Sequence, residues 1–301
     1  MTAATAGAPN NTAPNNAAFG SLLAMFAMLC FAGMDATSKF LVADYAVGQM
    51  MWIRCVILYL FAWCIVRRTG VRAALKTPHP GLQIARALLL VIESALFVFC
   101  FKYLPLADAH ALASTSPLIV IALGVIFLGE RAGAARWLAV MVGFAGVLLI
   151  IRPGFRDFDW PLLVVLVAAG MWASYQILTR LAARHDSADT SLIWSALVAL
   201  IVTTFVAPID WVWPTAGAWA LIVGVAMIGS VANYALIKAL DYAEAGALQP
   251  YSYTLLVWAT LMGFVVFGDF PDFWTIVGAA VIVASSAYTW HHDRQIAATR
   301  S

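Results

Sequence analysis

Few residues of this chain could do chemistry, and those few fall inside long apolar runs. Glu93 stands in Val91-Ile92-Glu93-Ser94, seven residues after Arg86 and so on nearly the same helical face. A carboxylate at that depth would attract a substrate ammonium or carry a coupling proton, or else lie buried in a pair with Arg54 or Arg86. His110 and Ser114 are one helical turn apart, and Ser116-Pro117 follow. Proline removes a backbone hydrogen bond and bares carbonyls about one turn earlier, which is how broken membrane helices offer polar atoms to a ligand. The stretch Gly246-Ala247-Leu248-Gln249-Pro250-Tyr251-Ser252-Tyr253 has the same construction. Plain packing kinks would share the pattern, with His110 bonded to a neighbouring carbonyl.

Aromatic side chains with polar tips form a second group: Trp172, Tyr175 and Gln176 in one run, Asn233 and Tyr234 in another, and Trp258 in a third. Their ring faces suit an apolar group or a cation of an amphipathic substrate. Trp211, Trp213, Trp219 and Trp274, near the ends of runs, read instead as interfacial anchors. Asp35 and Lys39 are four apart, the spacing of an intrahelical ion pair, yet they also qualify with Arg54, Pro117 and Pro250 as coupling or gating residues. His291-His292-Asp293 carries two metal-ligand types, but adjacent histidines point to different helix faces, so no metal site is expected.

The elements that must position these residues are membrane helices. Of the 301 residues, 63% are hydrophobic and only 11% charged, with a mean hydropathy of +0.90. A water-soluble domain carries roughly a quarter charged residues. The net charge of +2, without a basic stripe, excludes nucleic acid as a partner. A crossing takes about 20 apolar residues. Ten runs of that length are present: 18–39, 46–66, 83–103, 106–128, 135–152, 160–180, 190–208, 216–238, 243–267 and 271–290. Residues 1–17 and 293–301 are left as tails, and the first, lacking basic residues and an apolar core, reads as disordered and uncleaved. All four cysteines (Cys30, Cys55, Cys64, Cys100) fall inside runs and read as small packing residues. Small-residue spacings, Ala139 with Gly143 and then Gly278-Ala279-Ala280, read as close helix packing or a weak dimer contact.

Eleven Lys and Arg fall on the side that holds both termini and four on the other, which predicts cytoplasmic termini. The chain also repeats itself. Ala32-Gly33-Met34-x-Ala36 matches Ala169-Gly170-Met171-x-Ala173 at an offset of 137. Lys102-x-Leu104-x-x-Ala107-Asp108-Ala109 matches Lys238-x-Leu240-x-x-Ala243-Glu244-Ala245 at 136, and Gly129-Glu130 matches Gly268-Asp269 at 139. An odd five-helix repeat, 18–152 and 158–292, predicts halves of opposite orientation, able to open a midplane site to each side in turn. By that symmetry the Asp35 and Lys39 face is the counterpart of Trp172 and Gln176.

Leu104-Pro105-Leu106-Ala107-Asp108-Ala109, Ser116-Pro117-Leu118, Phe127-Leu128-Gly129-Glu130-Arg131 and Gly143-x-x-Gly146, in this order, resemble the drug/metabolite transporter superfamily, EamA group. Within that group the chain is most similar to YddG-type exporters of aromatic and other amino acids. The resemblance implies an all-α fold of ten transmembrane helices in two inverted repeats, seated in a bacterial inner membrane with cytoplasmic termini. It also implies export of small amphipathic metabolites without a cofactor. The expectation is a carrier of amino acids, aromatic ones included, working by alternating access as a monomer or weak homodimer. S-adenosylmethionine, nucleotide sugars and organic cations are the alternative cargoes. A His110–Ser114 intramembrane enzyme and a channel are remoter alternatives.

Overall fold

A computed structural model of the protein describes residues 14–68, 70–128, 134–151, 160–243, 248 and 251–300. Gly129-Glu130-Arg131, Gly246, Ala247, Gln249 and Pro250 lie outside the described residues, as do the side chains of Ala139 and His291-His292-Asp293. Most of the described residues are helical, and no strand is found among them. The helices are α1 (Pro14–Leu41), α2 (Val47–Val66), the short α3 (Val71–Ala74), α4 (Pro80–Cys100), α5 (Leu106–Ala113) and α6 (Ser116–Leu128). They continue with α7 (Ala134–Ile151), α8 (Trp160–Ala182), α9 (Ala188–Val206), α10 (Ala216–Tyr242), α11 (Thr254–Met262) and α12 (Phe273–Arg300). Seven stretches are long and apolar enough to cross a membrane, Leu106–Phe127 counting α5 and α6 together. Three shorter apolar helices accompany them, Met141–Ile151, Thr254–Phe267 and Phe273–Ser285. This is a multi-pass membrane protein, and large apolar side chains such as Phe144, Phe205 and Val265 are exposed on its outside.

Helix starts follow local chemistry. Pro80 opens α4, where its fixed φ costs nothing and its missing N–H would be unbonded anyway. Ser187 Oγ accepts from Thr190 N, Thr215 Oγ1 from Ala218 N and Asp272 Oδ1 from Thr275 N, capping α9, α10 and α12. A π-helical turn, Gly263–Phe267, ends α11, and Gly268 closes it at φ 72°, a left-handed conformation that favours glycine.

The run 106–128 stands as a stretch long enough to cross, Leu106–Phe127, interrupted at Ser114-Thr115 just before Pro117, which cannot donate to the preceding turn. One sequence-derived boundary is corrected: the run 243–267 does not start as a helix at 243, where Ala243 is extended (φ −138°, ψ 156°) and ends α10; Leu248, Tyr251 and Ser252 are helical, and α11 runs from Thr254.

Helix packing is set by small residues. A Cβ on Gly146 of α7 would lie 2.8 Å from the Gly278 carbonyl oxygen, and one on Gly278 of α12 would lie 2.6 Å from that of Gly146. The backbones therefore touch, and this small-residue face is consumed within the chain. In the rest of the bundle α1 packs on α10 and α4 on α8; α2 packs on α10 and α4 on α9; α1 packs on α11 and α6 on α8. The pairs α2 with α9 and α5 with α11 complete the centre.

Candidate substrate cavity

These contacts leave a cavity at the centre whose empty volume, open mouth included, is about 1290 Å³. Met28, Phe31 and Asp35, at helical spacing, give one face of α1 to it. Arg54 and Cys55 enter from α2, Glu93, Ser94 and Phe97 from α4, and Trp172 and Gln176 from α8. Asn233 and Ser230 come from α10, Ser252 and Tyr253 from the approach to α11. The α5–α6 break contributes His110, Ser114, Ser116 and Pro117.

Among the described residues the charged groups of this cavity form one pair, Asp35 with His110, and leave Glu93 and Arg54 without an ionic partner. Glu93 is buried, and its hydrogen bond comes from the adjacent Ser94 hydroxyl at 3.3 Å. Asp35 Oδ2 lies 3.3 Å from His110 Nε2, within ion-pair reach but off hydrogen-bond alignment. Arg54 directs its Nη2 to the Met34 sulfur at 2.9 Å and its Nη1 to the Met51 sulfur at 3.6 Å. Among the described residues no carboxylate comes within 4.0 Å of that guanidinium. The pairing of Glu93 with Arg54 or Arg86 that the sequence allowed is therefore not formed.

Arg86 shows the opposite treatment. Fully buried on α4, it donates to Gln83 Oε1 (2.9 Å), the Ser191 carbonyl (2.7 Å), Thr179 Oγ1 (3.1 Å) and Tyr175 OH (3.4 Å). Asp186 Oδ2 accepts from both Gln83 and Thr77, each at 2.7 Å, which ties the starts of α4 and α9 together. Tyr175 OH in turn donates to Asn233 Oδ1 at 3.3 Å, and the Tyr175 ring stacks on Trp172 with centroids 5.4 Å apart. Trp172 meets Phe31 edge-to-face at 5.8 Å. Rings from α1 and α8 thus form one wall of the cavity, braced from behind by the arginine network.

Several expectations from sequence are corrected. Asp35 and Lys39 do not pair within α1; Lys39 Nζ reaches Asp269 Oδ2 at 2.6 Å, beyond the π-helical turn, with the Phe267 ring 4.7 Å away. At the break before Pro117, whose missing N–H would have served the Ala113 carbonyl, Ser114 Oγ donates to the Ala111 carbonyl at 2.5 Å and Thr115 Oγ1 to that of Leu112 at 2.7 Å. His110 does not polarise Ser114, whose hydroxyl is so engaged. Tyr175 stands behind the cavity wall. Tyr234, one residue and roughly 100° around the helix from Asn233, faces away and donates to Asp189 Oδ1 at 2.8 Å. Trp258 is not among the residues that line the cavity. Trp211, Trp213 and Trp219 form a chain of rings with Trp52 at the α9–α10 connection.

Sequence reasoning missed the methionines Met28, Met34 and Met51 and the rings Phe31 and Phe97. The signal was present in α1, where Met28, Phe31 and Asp35 share a face, but apolar residues in an apolar helix carry no contrast.

Comparison with known proteins follows the same lines. A model of the EamA-like transporter family matches residues 18–152 and again 159–290. A riboflavin transporter of Vibrio cholerae is 30% identical over 275 residues, covering 89% of this chain and 92% of that one. An S-adenosylmethionine uptake transporter of Rickettsia bellii is 29% identical over 221 residues, 73% of this chain and 76% of that one. A solved crystal structure superposes with a TM-score of 0.71 at 20% identity, covering 92% of this chain and 98% of its own, a likeness of fold.

Proposed function

The chain belongs to the EamA-like transporter family, and from that premise we propose that it is a secondary carrier moving small ring-bearing, polar metabolites through the central cavity by alternating access. The observation that carries this reading is the cavity itself: an Asp35–His110 pair beside Glu93 and Arg54, neither of which has an ionic partner among the described residues, facing a wall of aromatic rings. Ionisable groups so placed are costly unless they meet water or a substrate. Aromatic amino acids, the cargo expected from sequence, are the small end of this class, and the relatives named for riboflavin and S-adenosylmethionine lead toward its larger members. The concentration gradient sets the direction, so the same carrier serves export or uptake.

Ten crossings in two inverted five-helix repeats are the architecture proposed for this motion. Under an exchange of the two halves α1 on α10 becomes α8 on α4, α2 on α10 becomes α9 on α4, and α1 on α11 becomes α8 on α6, each a pair that packs. The family model's two matches divide the chain at the same place. Symmetric packing of this kind lets the halves exchange conformations about a fixed site. In the proposed orientation, with both termini cytoplasmic in a bacterial inner membrane, the Lys39–Asp269 bridge closes the outer end and the Arg86 network braces the inner one. Counterflow in proteoliposomes tests the reading. Vesicles preloaded with riboflavin, S-adenosylmethionine or L-tryptophan are expected to accumulate the same labelled compound transiently and saturably for at least one of the three. Uptake no greater than into empty vesicles for the whole panel would reject it.

A further inference from the structure

We propose that Arg54 is an anion-binding subsite of this cavity, so that the cavity takes zwitterions whose carboxylate lies on Arg54 and whose cationic group lies toward Glu93. This rests on the carrier reading and specifies its ligand class. Arg54 is the sole charged residue of α2 and sits about 10 Å along the axis from the helix start. A guanidinium at that depth normally finds carboxylates, carbonyls or water. Here its hydrogen bonds go to two thioether sulfurs, which are weak acceptors. The sulfurs of Met34 and Met51 orient the group, and its remaining donors are left for an occupant of the cavity.

The same fold shows what a structural arginine looks like. Arg86 is wholly enclosed and its donors are met by oxygens of Gln83, Ser191, Thr179 and Tyr175. Arg54 differs on both counts, being partly open to the cavity and, among the described residues, bonded to sulfurs and to no oxygen. The two carboxylates of the same cavity lie on other helices and are held apart from it, Asp35 against His110 and Glu93 against Ser94. The cavity therefore carries its arginine on α2 and its carboxylates on α1 and α4, neither within 4.0 Å of the guanidinium, and of the two only Glu93 is without an ionic partner among the described residues. A planar guanidinium fork fits a carboxylate with two parallel hydrogen bonds, and Glu93 complements an ammonium or sulfonium group. Phe31 and Trp172 are left to receive the ring that such a metabolite carries.

The experiment is equilibrium binding to the purified protein in detergent, read by intrinsic tryptophan fluorescence or thermal stabilisation, so it does not depend on transport. The probes are matched pairs differing by one carboxylate: S-adenosylmethionine against its decarboxylated form, and L-tryptophan against tryptamine. Wild type is expected to bind the carboxylate member of at least one pair roughly tenfold or more tightly, the scale of a charge-assisted bidentate contact. Arg54→Gln is expected to erase that preference and Arg54→Lys to keep part of it, which separates a lost contact from a lost fold. Equal binding of both members by wild type, no binding of either carboxylate, or a preference that survives in Arg54→Gln would each overturn the subsite. Counterflow without carboxylate preference would overturn it while leaving the carrier standing; carboxylate-selective binding without counterflow would do the reverse.

Discussion

Glu93 and Tyr234 illustrate how residue type and position separate. Both are polar, both lie within membrane helices, and both were candidates from sequence, yet Glu93 opens into the cavity and Tyr234 is bonded to Asp189 outside it. Glu93→Gln keeps the shape and removes the charge, and it is expected to lower the kcat/KM for a cationic or zwitterionic substrate about tenfold, the scale of one charge-assisted contact. Tyr234→Phe is expected to change flux by less than about twofold, since its partner lies away from the substrate path. Initial-rate uptake in proteoliposomes, normalised to incorporated protein, distinguishes the two. Glu93, Trp172, Gln176 and Asn233 could be placed from sequence because a polar or amphipathic side chain in an apolar helix demands an explanation. Lys39 could not be: its neighbour at helical spacing is Asp35, but its partner is Asp269, 230 residues away, and only the folded chain brings them together.

At the scale of the element, most helices were legible as apolar runs with caps and prolines at their ends. The fourth run breaks just before Pro117, which cannot serve the Ala113 carbonyl, and there Ser114 and Thr115 bond backward to the Ala111 and Leu112 carbonyls. The α7–α12 contact was anticipated from small residues, although only the structure tells which glycines meet. Gly146→Leu is expected to force these helices apart, because its Cβ alone would approach the Gly278 carbonyl oxygen and the Ile282 side chain to 2.8 Å. Overpacking of this kind costs about 1–3 kcal/mol or more. A lowered melting temperature of the purified variant, by fluorescence-detected size exclusion after heating, is the check; unchanged stability would mean that this contact is looser than described. The mutation touches no cavity residue, so whatever protein remains folded should retain wild-type substrate affinity.

For the whole molecule, composition fixed the membrane class and self-similarity pointed to two halves, while the cavity's contents came from the relative rotation of helices, a quantity that sequence periodicity leaves open. A helix that is apolar on every face gives no phase from which to tell which residues turn inward. Packing pairs that interchange with the halves, and a cavity lined from both, make a single site opened to each side in turn the economical account. Cys55 reports on that site directly, since it lines the cavity beside Arg54. With Cys30, Cys64 and Cys100 replaced by alanine, a membrane-impermeant maleimide applied to one face or the other of oriented proteoliposomes measures access to it. The account predicts that Cys55 is labelled from both faces and that a transported substrate shifts the two rates in opposite directions. Labelling confined to one face under every substrate condition, or simultaneous free access from both, would contradict alternating access around this cavity.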